Sequence, residues 1–393
     1  MWNFDELISR ENTSCIKYDF REKVFGRPDV IPMWVADMDF RTPPFIIEAL
    51  QKRLGHEILG YSYRPESYFS SLSSWISTRH GWKVHNEWIE FSPGVVPALN
   101  VCTLAFTDPG DEIIIQSPVY APFHAAARDH QRKLVFNRLL ETDRGWIMDL
   151  EGLGKLISPA TKMLIISNPH NPVGRAWKAE ELAGLAEICY DKGVVILSDE
   201  IHSDLVLPGN SHVPLASLSE KAASITVTCM APSKTFNLAG LSTSSMIIPD
   251  HGLREKYRVT LAGLHLHLGN IFGNMASEAA YTYGHEWLDQ LLIYLQGNIE
   301  LVIDFCAENI PQIKPVRPEA TYMIWLDCRA MGLEGEELQR FFVDRAGVGV
   351  NEGSSFGPGG EGFMRMNLAC QRSVVEKALR QIESAIQELD EKR

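Results

Sequence analysis

Five short apolar runs punctuate the middle of this chain and constrain its fold more than any other feature. Residues 112–116 (EIIIQ), 162–167 (KMLIIS), 194–198 (VVILS), 225–229 (ITVTC) and 244–248 (SSMII) are strand-length and bounded by polar or turn residues. Strands that are apolar on both faces need cover on both, so the pattern predicts an α/β fold with a parallel sheet between layers of helices. The stretch 179–192 (AEELAGLAEICYDK) places Leu182, Leu185, Ala186 and Cys189 on one helical face. Its stop signal, Lys192-Gly193, leads straight into the next strand.

Past residue 285 the texture changes. A helical pattern over 286–309 runs into Pro311, Pro315 and Pro318. A strand follows at 321–326, a helix at 334–345, a glycine-rich loop at 347–362 and a last helix over 373–388. This reads as a smaller α+β domain, with the first 45 residues packed on it. A chain of 393 residues suits two or three domains. The division expected is a large domain, 46–285, and a small one built from both chain ends, 1–45 and 286–393.

Charge narrows the partners. With 37 Lys and Arg against 50 Asp and Glu, the formal net charge is -13. Nucleic acid and anionic membranes both select a cationic face, so neither is expected as a partner. The seven cysteines are scattered with no C-x-x-C pair, and no Cys/His spacing matches a zinc site. His265 and His267 stand two apart and share no helix face, so no metal is expected there. The first residues carry no cationic segment followed by an apolar one, and no apolar run approaches 18 residues. A cytoplasmic protein is the expectation.

In a doubly wound sheet, ligands bind outside the carboxyl ends of the strands. Three polar segments stand there. Residues 162–167 run into Asn168-Pro169-His170-Asn171-Pro172-Val173-Gly174, residues 194–198 into Asp199-Glu200-Ile201-His202, and residues 225–229 into Ala231-Pro232-Ser233-Lys234. An amide, an acid and an amine therefore converge on one sheet edge. Alone, each has an ordinary explanation: a strand-end Asp often caps a helix, and a strand-end Lys is often solvated.

Taken with their surroundings, they form N-P-x-N-P-x-G at 168–174, D-E-I at 199–201 and S-K-T-x-N-x-x-G at 233–240. The chain thus resembles the fold-type I enzymes that use pyridoxal 5'-phosphate, which share an aspartate-aminotransferase-like fold. Ser92-Pro93-Gly94-Val95-Val96, Pro118-Val119-Tyr120 and Arg365-Met366-Asn367 stand at matching places. The resemblance implies Lys234 as the amine that holds the cofactor's aldehyde covalently and then serves as the catalytic base. It implies Asp199 as the carboxylate that keeps the ring nitrogen protonated. Asn171 would bond the ring oxygen and lie near the substrate carboxylate, and Tyr120 would stack on the ring. Gly94, Val95 and Val96, opening a helix, would offer backbone N–H groups to the phosphate, with Ser233 adding a hydroxyl. Arg365 would clamp the substrate carboxylate. Tyr61 resembles a tyrosine that relatives donate from a neighbouring subunit, which implies a homodimer.

Three positions depart from the family pattern. His202 stands where a tyrosine commonly bonds the ring oxygen, Ala231 replaces a serine, and Leu241-Ser242 replaces a phosphate-binding arginine. Residues 32–40, 199–205 and 230–241 resemble a branch of carbon–sulfur β-lyases in the class I/II aminotransferase superfamily. That resemblance implies β-elimination from cystathionine or another cysteine S-conjugate, giving a thiol, pyruvate and ammonia. The alternatives are an aminotransferase acting on an amino acid and a keto acid, or a non-catalytic binding protein on the same fold. The intact set of Lys234, Asp199, Asn171 and Arg365 weighs against the last. Residues 33–40 read equally as core or as part of the substrate pocket. Residues 357–362 read as a mobile loop, and Gln371, where a proline is expected, as a change confined to a turn.

Overall fold

The computed structural model describes residues 2–143 and 145–391. Seven strands form the main sheet: β1 (Ile89–Ser92), β2 (Glu112–Ile115), β3 (Lys133–Phe136), β4 (Thr161–Ser167), β5 (Val195–Asp199), β6 (Thr226–Met230) and β7 (Ser244–Ile247). Their order is β1-β7-β6-β5-β4-β2-β3. β7 runs antiparallel to both neighbours, and the other pairings are parallel. The sheet is therefore mixed and mostly parallel.

Burial on both faces explains the apolar runs. Ile113, Ile115, Met163 and Ile165 pack beneath α2 (Val95–Phe106), beside Leu99 and Cys102. Ile114, Leu164 and Ile166 point the other way, to α3 (Ala179–Asp191). Alternation along each strand sends successive side chains to opposite layers, and both layers are greasy. In α3 the buried residues are Leu182, Leu185, Ala186 and Cys189, the face expected from the spacing. Burying each leucine contributes about 1.5–3 kcal/mol.

A second, antiparallel sheet holds β8 (Lys314–Val316), β9 (Met323–Asp327), β10 (Asn351–Glu352) and β11 (Phe363–Asn367) in the order β8-β9-β11-β10. Long helices frame it: α6 (His285–Asn309) and α7 (Arg372–Asp390). The amino-terminal segment is stitched to this region. Ile31–Pro32 pairs in parallel with Val348–Gly349, and Phe4 packs edge-on against Trp287. Gln371 is buried, and its Nε2 donates to the carbonyls of Glu6 and Asp39 at 2.7 and 2.9 Å. It does more than reshape a turn, because it joins two chain ends. The largest apolar cluster runs from Phe4 and Met38 through Leu72, Trp75 and Phe236 to Leu295, Ile324 and Ile382.

Two expectations need correction. The helix over 334–345 is α-helical only at Gly335–Arg340 and widens into a π turn at Phe341–Arg345. Three consecutive residues, Phe341, Phe342 and Val343, are all buried there, which the wider turn accommodates. Residues 347–362 are not one loop: Val348–Gly349 and β10 are extended, Gly353–Phe356 is a 3-10 turn, and 357–362 form an irregular turn packed on it. A Cβ on Gly353 would lie 2.0 Å from the Gly360 carbonyl oxygen, and one on Gly360 the same distance from that of Gly353. Two backbones in such close approach need glycine at both places. Among the described residues, no helix is long and apolar enough to cross a membrane.

Candidate active site

Strand register builds the site. Ser167, Asp199 and Cys229 are neighbours across β4, β5 and β6, so the segments following them leave the sheet side by side. They open onto a cavity of about 200 Å3. Its walls include Gly94, Val95, Val96, Tyr120, Asn171, Asp199, His202, Ser233 and Lys234. All the expected cofactor residues except Tyr61 are among them.

Lys234 sits on α4, a single turn (Pro232–Thr235) directly after β6. Its Nζ donates to the Ala36 carbonyl at 2.7 Å. Burial pushes the amine down to about 8, helped by the Arg365 charge and opposed by Asp37 and Asp199. Asp199 accepts from the Ile201 N–H at 3.1 Å. Burial lifts its carboxyl to about 7, against the pull of that N–H and of Lys234. Desolvation thus drives both groups towards neutrality. A cation beside Asp199, or an electrophile beside Lys234, would meet a group with little solvation to lose.

His202 is buried, and its Nδ1 has no partner among the described residues. Burial first, then Lys234 and Arg365, push its imidazole down to about 3, so the ring is neutral. A neutral imidazole at this position can still offer or accept one hydrogen bond.

Gly94 caps α2 with φ 142°, a conformation that favours glycine. Val95 and Val96, which open this 12-residue helix, line the cavity, as do Ser233, Ser242 and Thr243. The Thr243 hydroxyl is buried without a partner among the described residues.

Arg365 stands on β11, opposite Asn351 of β10 in register. Its Nη1 donates to Asn171 Oδ1 at 3.2 Å, and its Nη2 to Asn351 Oδ1 at 2.8 Å and to the Trp34 carbonyl at 2.9 Å. Its Nε is buried without a partner among the described residues, and its guanidinium lies over the Phe356 ring. Burial lowers it to about 10, so it remains a cation at neutral pH.

Residues 33–38 combine core packing with contacts to Lys234 and Arg365. Met33 and Met38 are fully packed, while the carbonyls of Trp34 and Ala36 face Arg365 and Lys234. Asn351, Ser167, Thr243 and the Trp34 and Ala36 carbonyls escaped the motif reading. Only the segment holding Trp34 and Ala36 carried a signal, through its resemblance to the family. Tyr61 is 98% exposed and stands apart from this cavity.

An open α/β sheet with a buried amine and acid at its carboxyl edge, and a buried arginine above them, defines a class of enzyme that handles small carboxylates. Comparison makes the class specific. The family model for aminotransferase class I and II matches residues 28–382, and the chain belongs to that family. It is 46% identical over 385 residues to cystathionine beta-lyase PatB of Bacillus subtilis (strain 168), covering 98% of this chain and 100% of that one. Cystalysin from Treponema denticola, whose structure contains pyridoxal 5'-phosphate, superimposes with a TM-score of 0.96 at 37% identity, covering 99% of this chain and 100% of that one. The pyridoxal-phosphate-bound C-S lyase from Staphylococcus hominis gives 0.91 at 33% identity, with 98% of each chain covered.

Proposed function

We propose that this protein is a pyridoxal 5'-phosphate-dependent carbon–sulfur β-lyase that cleaves cystathionine or a related cysteine S-conjugate to a thiol, pyruvate and ammonia. The observation that carries the reading is the pairing of buried Lys234 with buried Asp199 in one cavity, in a chain 46% identical to a cystathionine β-lyase.

The cavity suits the cofactor. Lys234 would hold the aldehyde and Asp199 the ring nitrogen, with Tyr120 against the ring and Asn171 and His202 as its polar neighbours. The amides at the start of α2, with Ser233, would take the phosphate. Thr243, whose buried hydroxyl has no partner among the described residues, supports a neutral replacement for the missing arginine. When bound, the cofactor supplies an electrophilic carbon that captures the substrate amine and a cationic ring that withdraws electrons from Cα.

The chain's own residues do the rest. Arg365 and Asn171 grip the α-carboxylate and set the direction of the Cα–H bond. Lys234, already inclined to be neutral, takes the Cα proton. The Cβ–S bond then breaks, sulfur leaves with the electron pair and takes up a proton as the thiol, and one water hydrolyses the released three-carbon enamine to pyruvate and ammonia.

Tyr61, outside its own cavity, is read as a contributor to the site of a second copy in a homodimer. The exposed Ile58, Leu59 and Tyr63 beside it support that reading. The cysteines, all free and mostly buried, support a reducing, cytoplasmic setting. The pairing of the second sheet's region with the amino terminus supports two domains, 46–285 and 1–45 with 286–393.

The reaction is tested by incubating the loaded enzyme with cystathionine and no keto acid. Pyruvate release is expected. Product formation that depends strictly on an added keto acid would replace the lyase with an aminotransferase.

A further inference from the structure

Outside the cavity lining stand two buried carboxylates that the reaction does not use, each paired with an imidazole. Asp204 Oδ1 accepts from Trp75 Nε1 and from His80 Nε2, both at 2.9 Å. Its Oδ2 accepts from Thr235 Oγ1 at 2.8 Å. Glu200 accepts from Ser198 Oγ and His212 Nε2 at 2.8 Å and from the Leu215 N–H at 3.1 Å. The His80 and His212 rings meet edge-on, with centroids 5.0 Å apart, and join the two pairs.

We propose that Asp204 is a positioning residue for Lys234, acting through the Thr235 hydroxyl. The inference rests on the assignment of Lys234 made above.

Placement carries the argument. Trp75 and His80 belong to the helix Glu66–His80, so Oδ1 is held by one element, while Oδ2 faces another. That other element is α4, the four-residue turn bearing Lys234. A helix so short cannot hold its own orientation and takes it from outside contacts. Thr235 is fully buried and adjoins Lys234 in sequence. The segment from the end of β5 supplies Asp199 and His202 to the cavity wall and, two residues later, Asp204 to the turn that bears Lys234. A buried carboxylate is costly, and an apolar side chain would fill this space with less desolvation. Its three donors come from two elements that must be kept in register, which is what a positioning group requires. Burial raises the Asp204 carboxyl, but His80, Trp75 and Thr235 outweigh it and hold the group below its ordinary range, so it stays an acceptor.

The test uses holoenzyme. Thr235→Val keeps the shape and removes the donor, Thr235→Ser keeps the donor, and Asp204→Asn removes the charge. Thr235→Val should lower kcat roughly 10- to 100-fold with little change in KM, since displacing a reactive group by about 1 Å costs rate on that scale. Its melting temperature should stay near wild type, and the pH at which the bound cofactor's visible absorbance titrates should shift. Thr235→Ser should restore both readouts. The Asp204→Asn/Thr235→Val double variant should be no worse than the poorer single one, because both break the same link. Wild-type kcat and titration in Thr235→Val, or strictly additive losses in the double variant, would overturn the proposal. Wild-type enzyme with no cofactor absorbance would instead overturn the assignment of Lys234, and the proposal with it.

Discussion

Lys234 and Asp199 share one buried cavity, and loss of water moves each towards its uncharged form. Lys234 falls to about 8 and Asp199 rises to about 7. For a base, a lowered pKa means that the free amine is populated from a lower pH than usual. Above about pH 8 Lys234 is mostly neutral, whereas an ordinary lysine, near 10.4, is still charged. In cofactor-free protein labelled with a small amine-reactive reagent, modification of Lys234 should reach half its maximum near pH 8. A half-rise near pH 10 would show that burial does not perturb the amine. The chemistry at Arg365 differs, because a guanidinium lowered to about 10 keeps its charge throughout the working range. It can therefore clamp a carboxylate while Lys234 exchanges protons.

Elements show where the sequence could be read and where it could not. The strands β2, β4, β5, β6 and β7 announced themselves through apolar runs, and the helix after β4 through its spaced leucines. β1 and β3 did not. β1 (IEFS) carries Glu90 and lasts four residues, and β3 lies at the sheet edge with no fully buried side chain. The candidate site residues followed the same rule. Lys234, Asp199 and Asn171 sit in contiguous motifs at strand ends, so their neighbours in sequence identify them. Asn351 meets Arg365 only through the pairing of β10 with β11, and no local pattern encodes that register. Residues 347–362 read as one loop because glycine usually marks freedom, yet 348–356 hold two short strands and a 3-10 turn, and Gly353 and Gly360 mark a backbone contact. The segment bearing Tyr61 belongs to no helix or strand and is almost wholly exposed, which suits a surface completed by a second copy. Sedimentation should therefore give a dimer. Tyr61→Ala should release cofactor on dilution about tenfold more readily, the cost of one charge-assisted hydrogen bond. A monomeric wild type, or unchanged retention, would remove Tyr61 from the site.

Across the whole molecule, the amino-terminal segment does the joining. Asn367 Nδ2 donates to the carbonyls of Val35 and Asp37, and the Asn237 amide pairs with both backbone groups of Met38. Tyr322 and Lys234 meet on the Ala36 carbonyl. The main sheet, the second sheet and the chain start thus converge on one strap beside the cavity, where Arg365 from one sheet faces Lys234 from the other. Capturing the cofactor covalently and finding where it lands tests this account most directly. After borohydride reduction of the loaded enzyme and proteolysis, mass spectrometry should place the cofactor on the peptide containing Lys234, and Lys234→Ala should abolish the adduct. A cofactor fixed to any other lysine, or no adduct in the wild type, would contradict it.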